Sequence, residues 1–150
     1  MWVIIKLFFD ICCLNKAPQD IPYSKPLLNI LITIYVIIAF LILYPEDDFF
    51  RSLMQVLTEL GLMIGFCWGL LCFYQKMPRF TQVLSALVGT DAFISALALP
   101  IMELVSAGVM TEPASLLILG LMIWNWVVCG HIIRNALSQS MIFGLGLAFL

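Results

Sequence analysis

The chain has 150 residues, of which 63% are hydrophobic and 11% charged. Soluble globular domains contain about 45–50% apolar and about 25% charged residues, so this composition excludes a water-soluble fold. The formal net charge is −2 and there is no basic run, which argues against nucleic acid as a partner. A membrane span needs roughly 20 apolar residues, so we expect four or five spans and no extramembrane domain.

We therefore predict an all-α integral membrane helical bundle that forms one domain over residues 1–150. Residues 1–14 are apolar but too short to span a membrane, and they place Lys6 and Asp10 on one helical face. This pattern predicts an N-terminal interfacial helix with those two side chains toward the headgroups. Trp2, Phe8 and Phe9 would face lipid or the bundle.

Full transmembrane helices are expected in four further segments. Ser24 is placed to cap the first of them, with Pro26 in its first turn. The segment that follows the fourth is apolar but shorter than a span, so it is either a partial fifth span packed on the bundle or the start of a longer one. The predicted spans are residues 27–44, 52–74, 80–105 and 115–137, and the partial span is residues 138–150.

The second span carries glycines at every fourth position, namely Gly61, Gly65 and Gly69. Small residues at this spacing let two membrane helices touch backbone to backbone. We therefore expect the bundle to be organised around this helix, with neighbouring spans packed on its glycine face. The third span has a similar set of small residues in Ser85, Gly89 and Ala92, which predicts a second close-packing face.

Four of the polar residues within the predicted spans are candidate functional residues: Glu59, Asp91, Asn125 and His131. Asp91 and Asn125 are each about ten residues from the start of antiparallel helices, so they should lie at similar depth. We favour an interhelical hydrogen bond from a protonated or water-bridged Asp91 to Asn125, Thr90 or Trp126, which fixes helix register. The alternative is a proton or ion path through Asp91, Asn125 and His131. Such a path would be a poor relay without a second carboxylate at the depth of Asp91.

No motif in the sequence specifies a reaction, and we expect no enzymatic activity, cofactor or metal site. The single histidine would have to pair with Cys129 or Ser138, and neither has an orienting carboxylate nearby in sequence. The cysteines do not form a CxxC motif and are expected to be packing residues. The acidic residues Glu46, Asp47 and Asp48 are adjacent, but three neighbouring carboxylates without further oxygen ligands do not make a calcium loop.

The charges of the predicted loops are distributed asymmetrically. Threading the spans puts Lys6, Lys16, Lys25, Lys76, Arg79 and Arg134 on one side and Arg51 on the other. The side of Arg51 also receives Glu46, Asp47, Asp48, Glu103 and Glu112. The positive-inside rule then predicts a cytoplasmic N-terminus.

The segments RFTQVLSALVGTDAFISALALPI and LILGLMIWNWVVCGHIIRNAL resemble the bacterial branch of the Yip1-type multi-span membrane proteins. In both, a basic loop leads into a small-residue helix that ends in proline, and a later helix carries tryptophan. The PQDIPYS loop is similar to one in small proteobacterial inner-membrane proteins. The resemblance covers about half of the chain, carries over no catalytic residue, and implies a membrane scaffold. This chain lacks the long soluble N-terminal region of the eukaryotic relatives.

Together these observations predict a non-catalytic membrane subunit, scaffold or assembly partner in a bacterial inner membrane. It would pack through Gly61, Gly65 and Gly69 and through the small residues of the third span. Its partners would be lipid and other integral membrane proteins or further copies of itself. The alternative function is a small oligomeric channel or transporter that uses Asp91, Asn125 and His131.

Overall fold

A computed structural model describes residues 2–44, 48–106 and 112–149. It contains α-helices and short 3-10 turns, with no β-strand in these ranges. The helices are α1 (Trp2–Cys12), α2 (Lys25–Leu43), α3 (Phe49–Phe73), α4 (Phe80–Ser106), α5 (Glu112–Leu137) and α6 (Met141–Leu147). The acidic pair Glu46 and Asp47 and most of the loop before α5 lie outside the described residues.

Four of these helices, α2 to α5, are long and apolar enough to cross a membrane. The prediction of an all-α membrane bundle is confirmed. The predicted span boundaries are close to the observed ones: α2 begins at Lys25 rather than 27, and α3 begins at Phe49 rather than 52. The predicted cap of α2 is also present, since the Ser24 hydroxyl accepts a hydrogen bond from the Leu27 amide at 3.3 Å.

The centre of the bundle is α4, not α3 as the glycine pattern predicted. Half of the most apolar stretch of α4 (50%) is buried, against 11% for α2, 22% for α3 and 28% for α5. Helices α1, α2, α3 and α5 all pack on α4. Small and β-branched residues such as Ala86, Val88 and Ala92 are buried along it, which lets neighbours approach from several sides.

The small residues of α4 serve packing within the chain. Ser85 and Ala92 are buried, and Gly89 lies directly against the ring of Phe8 in α1, where an added Cβ would overlap that ring. The prediction of a close-packing face on α4 is confirmed. The expectation that it meets a partner protein is wrong, because α1 and the other helices of the chain already cover it.

Helix α1 packs against the middle of α4. Phe8 of α1 contacts Gly89, which is nine residues from Phe80 at the start of α4. Phe9 packs edge-on against Phe93 with the ring centroids 6.3 Å apart. These contacts lie deeper along α4 than the interfacial position that the sequence predicts for α1.

Helix α6 folds back on α5, as the packed partial span predicts. Gly130 and Gly144 meet at this contact, where a Cβ on Gly144 would overlap the Gly130 carbonyl oxygen. The indole of Trp126 donates to the Leu145 carbonyl at 3.0 Å and joins the two helices further along. Two glycines therefore permit a backbone contact within one chain, as the small-residue principle allows.

Side chains of the basic loop before α4 donate hydrogen bonds to the C-terminal carbonyls of α5. Lys76 donates to the Leu137 carbonyl at 2.6 Å and to the Ser138 hydroxyl at 2.9 Å. Arg79 donates to the Ala136 carbonyl at 3.3 Å. Carbonyls in the last turn of a helix lack intrahelical donors and carry partial negative charge, so these two cations satisfy and neutralise that end.

Candidate functional site: a polar cluster within the helix bundle

The site begins with a hydrogen bond between two spans. The Asn125 amide of α5 donates to the Asp91 carboxylate of α4 at 2.7 Å. The predicted interhelical bond of Asp91 is confirmed, and of the three partners left open by the sequence it is Asn125 that binds, as the donor. Thr90 and Trp126 donate to backbone carbonyls instead. A paired acid and amide inside the membrane hold two helices in one register.

A second carboxylate joins this pair. Glu59 of α3 lies at the bundle surface, and it lines the same two cavities as Asp91. The expectation that no second carboxylate shares the depth of Asp91 is therefore wrong. Glu59 is ten residues from Phe49, the first residue of α3, whereas the predicted span start at residue 52 is only seven residues from it.

The larger of the two cavities, about 450 Å³, is a cleft between α3 and α5. It is open on one side, and Asp91, Asn125 and Glu59 are its polar lining residues together with Cys129. The remaining wall is apolar and includes Leu62, Phe66, Leu87, Ile133 and Leu147. We call this cavity the α3–α5 cleft.

The smaller cavity, about 210 Å³, lies between α2, α3 and α4. Glu59 and Asp91 line it together with Tyr35, Gln55 and Ser95. Sequence reasoning missed these three residues. Tyr35 gave a usable signal: it is the eleventh residue of α2, as Glu59 is of α3, so both lie in the middle parts of adjacent antiparallel helices. Tyr35 is buried, with 2% of its surface exposed, and its hydroxyl donates a hydrogen bond to the Glu59 carboxylate.

His131 belongs to a different part of the molecule. Its Nε2 lies 2.9 Å from the Lys16 carbonyl and 3.1 Å from the Asn135 amide nitrogen. Because a carbonyl can only accept, Nε2 must carry a hydrogen to bind Lys16. His131 thus fastens the loop after α1 to α5. Among the predicted polar residues, the structure brings Glu59, Asp91 and Asn125 together and places His131 at another site.

Two neighbouring contacts hold the same N-terminal segment. The Trp124 indole donates to the Cys12 carbonyl at 2.9 Å, and the Gln82 amide donates to the Ile21 carbonyl at 2.7 Å. Trp124 lies in the middle of α5 and Gln82 near the start of α4, so residues 12–21 form a strap that runs from the middle of the bundle to the end where α4 begins. This strap explains why His131 is buried without being part of the polar cluster.

The glycine ladder of α3 is not used inside the chain. Gly61, Gly65 and Gly69 are exposed, and a Cβ added to any of them would meet no atom within 4 Å in the part of the chain that the structure describes. The buried face of α3 consists of other residues, including Val56, Leu60 and Leu71. The expectation that neighbouring spans of this chain pack on the ladder is wrong.

The residues that hold metals or cofactors in other proteins are dispersed. Within the described ranges, no three or more His, Cys, Asp or Glu side chains come close enough to hold a metal ion. The described cysteines are free thiols. Burial raises the pKa of the Cys12 thiol to about 12, with the neighbouring Cys13 as a smaller cause, so Cys12 stays protonated and unreactive at neutral pH.

Comparison with known proteins gives no information about function, so the proposals below are argued from the geometry of the chain. No protein-family model, curated protein or solved structure matches this chain significantly. The resemblance to Yip1-type proteins therefore stays a hypothesis that rests on the two quoted segments, and what can be said of the chain as a whole is that it is an all-α helical membrane protein.

Proposed function

We propose that this chain is a non-catalytic integral membrane subunit that assembles with another membrane protein through the glycine face of α3. The observation that carries the proposal is the exposure of Gly61, Gly65 and Gly69, where an added Cβ would meet no atom of the described residues within 4 Å. Three glycines in a helix interior cost about 1 kcal/mol each relative to alanine. A transmembrane helix from a partner that packs on them offsets this cost by close backbone contact.

The remainder of α3 supports the same proposal. Its opposite face packs on the bundle through Val56, Leu60 and Cys67, so the helix is held in a fixed orientation. The glycine face then points away from the bundle, where a partner helix can reach it. The proposed partner is an integral membrane protein or a second copy of this chain, with lipid covering the other outer surfaces.

The test is purification of the tagged protein from native membranes in mild detergent, with particle size and bound proteins measured. We expect a particle larger than the monomer. Gly65→Leu should reduce the assembled fraction at least tenfold, because the new side chain keeps a partner helix at a distance. Gly120→Leu on α5 is the matched control, since Gly120 also has no atom of the chain within 4 Å of an added Cβ.

Two results would contradict the proposal: a monomeric wild-type protein, or equal assembly of the Gly65→Leu and Gly120→Leu variants. The composition of the particle separates the two kinds of partner. Other membrane subunits would identify the complex, whereas a pure homo-oligomer would favour the second candidate function.

That second candidate is a small oligomeric channel or transporter. The observation in its favour is the polar cluster of Glu59, Asp91 and Asn125, because ionisable groups within spans are costly and mark ion or substrate paths in many membrane proteins. His131 is not needed for this candidate, since it binds the strap. Loss of ion flux in Asp91→Asn with assembly unchanged would favour it over the subunit role.

The proposed location is a bacterial inner membrane with a cytoplasmic N-terminus. The support is the clustering of basic residues at one end of the bundle, where Lys76 and Arg79 meet the end of α5. Basic residues in short loops are retained on the cytoplasmic side.

A further inference from the structure

The α3–α5 cleft combines an apolar wall with an acidic floor. Its volume of about 450 Å³ is in the range of small-molecule sites, roughly 300–1,000 Å³. Such sites have mostly apolar walls and a few polar groups that fix the orientation of the ligand. Here the wall is made of leucine, isoleucine, methionine and phenylalanine side chains, and the polar groups are gathered around Asp91.

The carboxyl groups of Glu59 and Asp91 have no basic side chain beside them among the described residues that line the cleft. No lysine or arginine is among the described residues that line either cavity. Asn125 donates one hydrogen bond to Asp91 and Tyr35 donates one to Glu59, which leaves further acceptor capacity on both carboxyl groups for other donors. A charged group inside the membrane is expected to pair with an opposite charge, since isolated ionised groups are costly there.

We propose that the α3–α5 cleft binds a lipophilic cation, that is, a molecule with one positive charge and an apolar body. The charge would lie between Glu59 and Asp91, and the body would contact the wall formed by Leu62, Phe66 and Ile133. The open side of the cleft lets such a molecule enter from the lipid phase. The site is complete within one chain, so this inference does not depend on the glycine face of α3.

Tetraphenylphosphonium is a suitable probe because it carries a positive charge on an apolar body. Tetraphenylborate has the same shape and the opposite charge, so it controls for apolar partitioning. Equilibrium dialysis of the purified protein in detergent should give saturable binding of tetraphenylphosphonium with one site per chain. Tetraphenylborate should show no saturable binding, because two carboxylates repel it.

Variants separate charge from cavity shape. Glu59→Gln removes one carboxylate from an exposed position and should weaken tetraphenylphosphonium binding at least tenfold. Ala148→Trp should also weaken it, by filling the cleft without a change of charge. The matched control is Asp48→Asn, which removes a carboxylate at the N-terminal cap of α3, away from the cleft.

The proposal is overturned if tetraphenylphosphonium binding is not saturable, if tetraphenylborate binds equally well, or if Glu59→Gln and Asp48→Asn bind alike. Asp91→Asn tests the second carboxylate, provided that the variant elutes at the same particle size as the wild type. Because the subunit role is read from particle size and this proposal from cation binding, a Gly65→Leu variant that fails to assemble should still bind the probe.

Discussion

The contact between Gly89 and Phe8 shows how one residue can set the position of a helix. Phe8 is buried at 4% exposure, and its ring occupies the space where a side chain on residue 89 would begin. The glycine thus allows α1 to lie directly on α4. Any larger residue must displace α1 or force its phenylalanine into another rotamer.

We expect Gly89→Ala to destabilise the protein by about 1–3 kcal/mol, the usual cost of overpacking a well-packed contact. Thermal unfolding in detergent measures this change. Gly120→Ala is the control on an open helix face, where alanine should be neutral or stabilising because it is the better helix former.

A double variant gives the decisive comparison for this contact. Phe8→Ala removes the ring that Gly89→Ala would strike, so Gly89→Ala should cost less in the Phe8→Ala background than in the wild type. An equal loss of stability from Gly89→Ala in both backgrounds would show that the contact between Gly89 and Phe8 does not position α1.

At the same scale, the sequence allowed one polar pair to be predicted and another to be missed. Asp91 and Asn125 are found by counting residues from helix ends, because depth in a membrane follows from the rise per residue. The proximity of Glu59 to this pair was not predicted, because the predicted start of its span at residue 52 is three residues from the observed start at Phe49, a shift of about 4.5 Å along the axis. Small boundary errors therefore decide which polar groups appear to share a depth.

At the scale of elements, three helices end in the same way. Leu14, Gln75 and Ser138 follow α1, α3 and α5 and have positive φ values of 62°, 55° and 59°. The amides that follow them bond back to carbonyls five residues earlier, as Lys76 does to Leu71 at 2.8 Å. This is the Schellman ending, which normally places glycine at the positive-φ position.

We predict that Gln75→Gly stabilises the protein by about 1 kcal/mol, because glycine adopts positive φ without the steric cost that other residues have there. No side-chain hydrogen bond of Gln75 is among those described, so little is lost. The midpoint of thermal unfolding in detergent should rise. Gln75→Ala, which keeps a Cβ, should leave it nearly unchanged, and Gln75→Val should lower it. A fall with Gln75→Gly would contradict this account.

The glycine ladder of α3 shows a different limit of sequence reasoning at this scale. Spacing of small residues indicates that a helix can be approached closely, but it does not identify the approaching helix. In this chain the close approaches occur at Gly89 with α1 and at Gly130 with α6, whereas the ladder is open. The pattern predicted the type of contact correctly and assigned it to the wrong helix.

At the scale of the whole molecule, Lys76, Arg79 and the Ile21 end of the N-terminal strap lie together at one end of the bundle. Lys76 and Arg79 bind the end of α5, and Gln82 binds the strap at Ile21. Asp48 lies at the opposite end, at the start of α3. The strap could not be predicted from the sequence, because its bonds join residues more than 60 positions apart and go to backbone carbonyls, which carry no sequence signal.

This arrangement makes the orientation measurable with single cysteines introduced at the two ends of the bundle. Gln19 is exposed in the strap, and its carbonyl accepts a hydrogen bond from Gln82 near the start of α4. In variants with a single cysteine, a membrane-impermeant maleimide should label Gln19→Cys in inside-out vesicles and not in intact cells, if the positive-inside rule holds. An Asp48→Cys variant should show the reverse, because residue 48 lies at the other end of α3.

Cys12 supplies the control for chemical reactivity in the same experiment. Maleimide reacts with the thiolate, and burial holds the pKa of Cys12 at about 12, above its ordinary value. The thiolate therefore stays unpopulated as the pH rises from 7 to 9, and Cys12 should remain unlabelled over this range until the protein is denatured. Labelling of Gln19→Cys in intact cells, together with protection of Asp48→Cys there, would reverse the proposed orientation. Labelling of native Cys12 at pH 7 would instead show that α1 does not pack on the bundle as described.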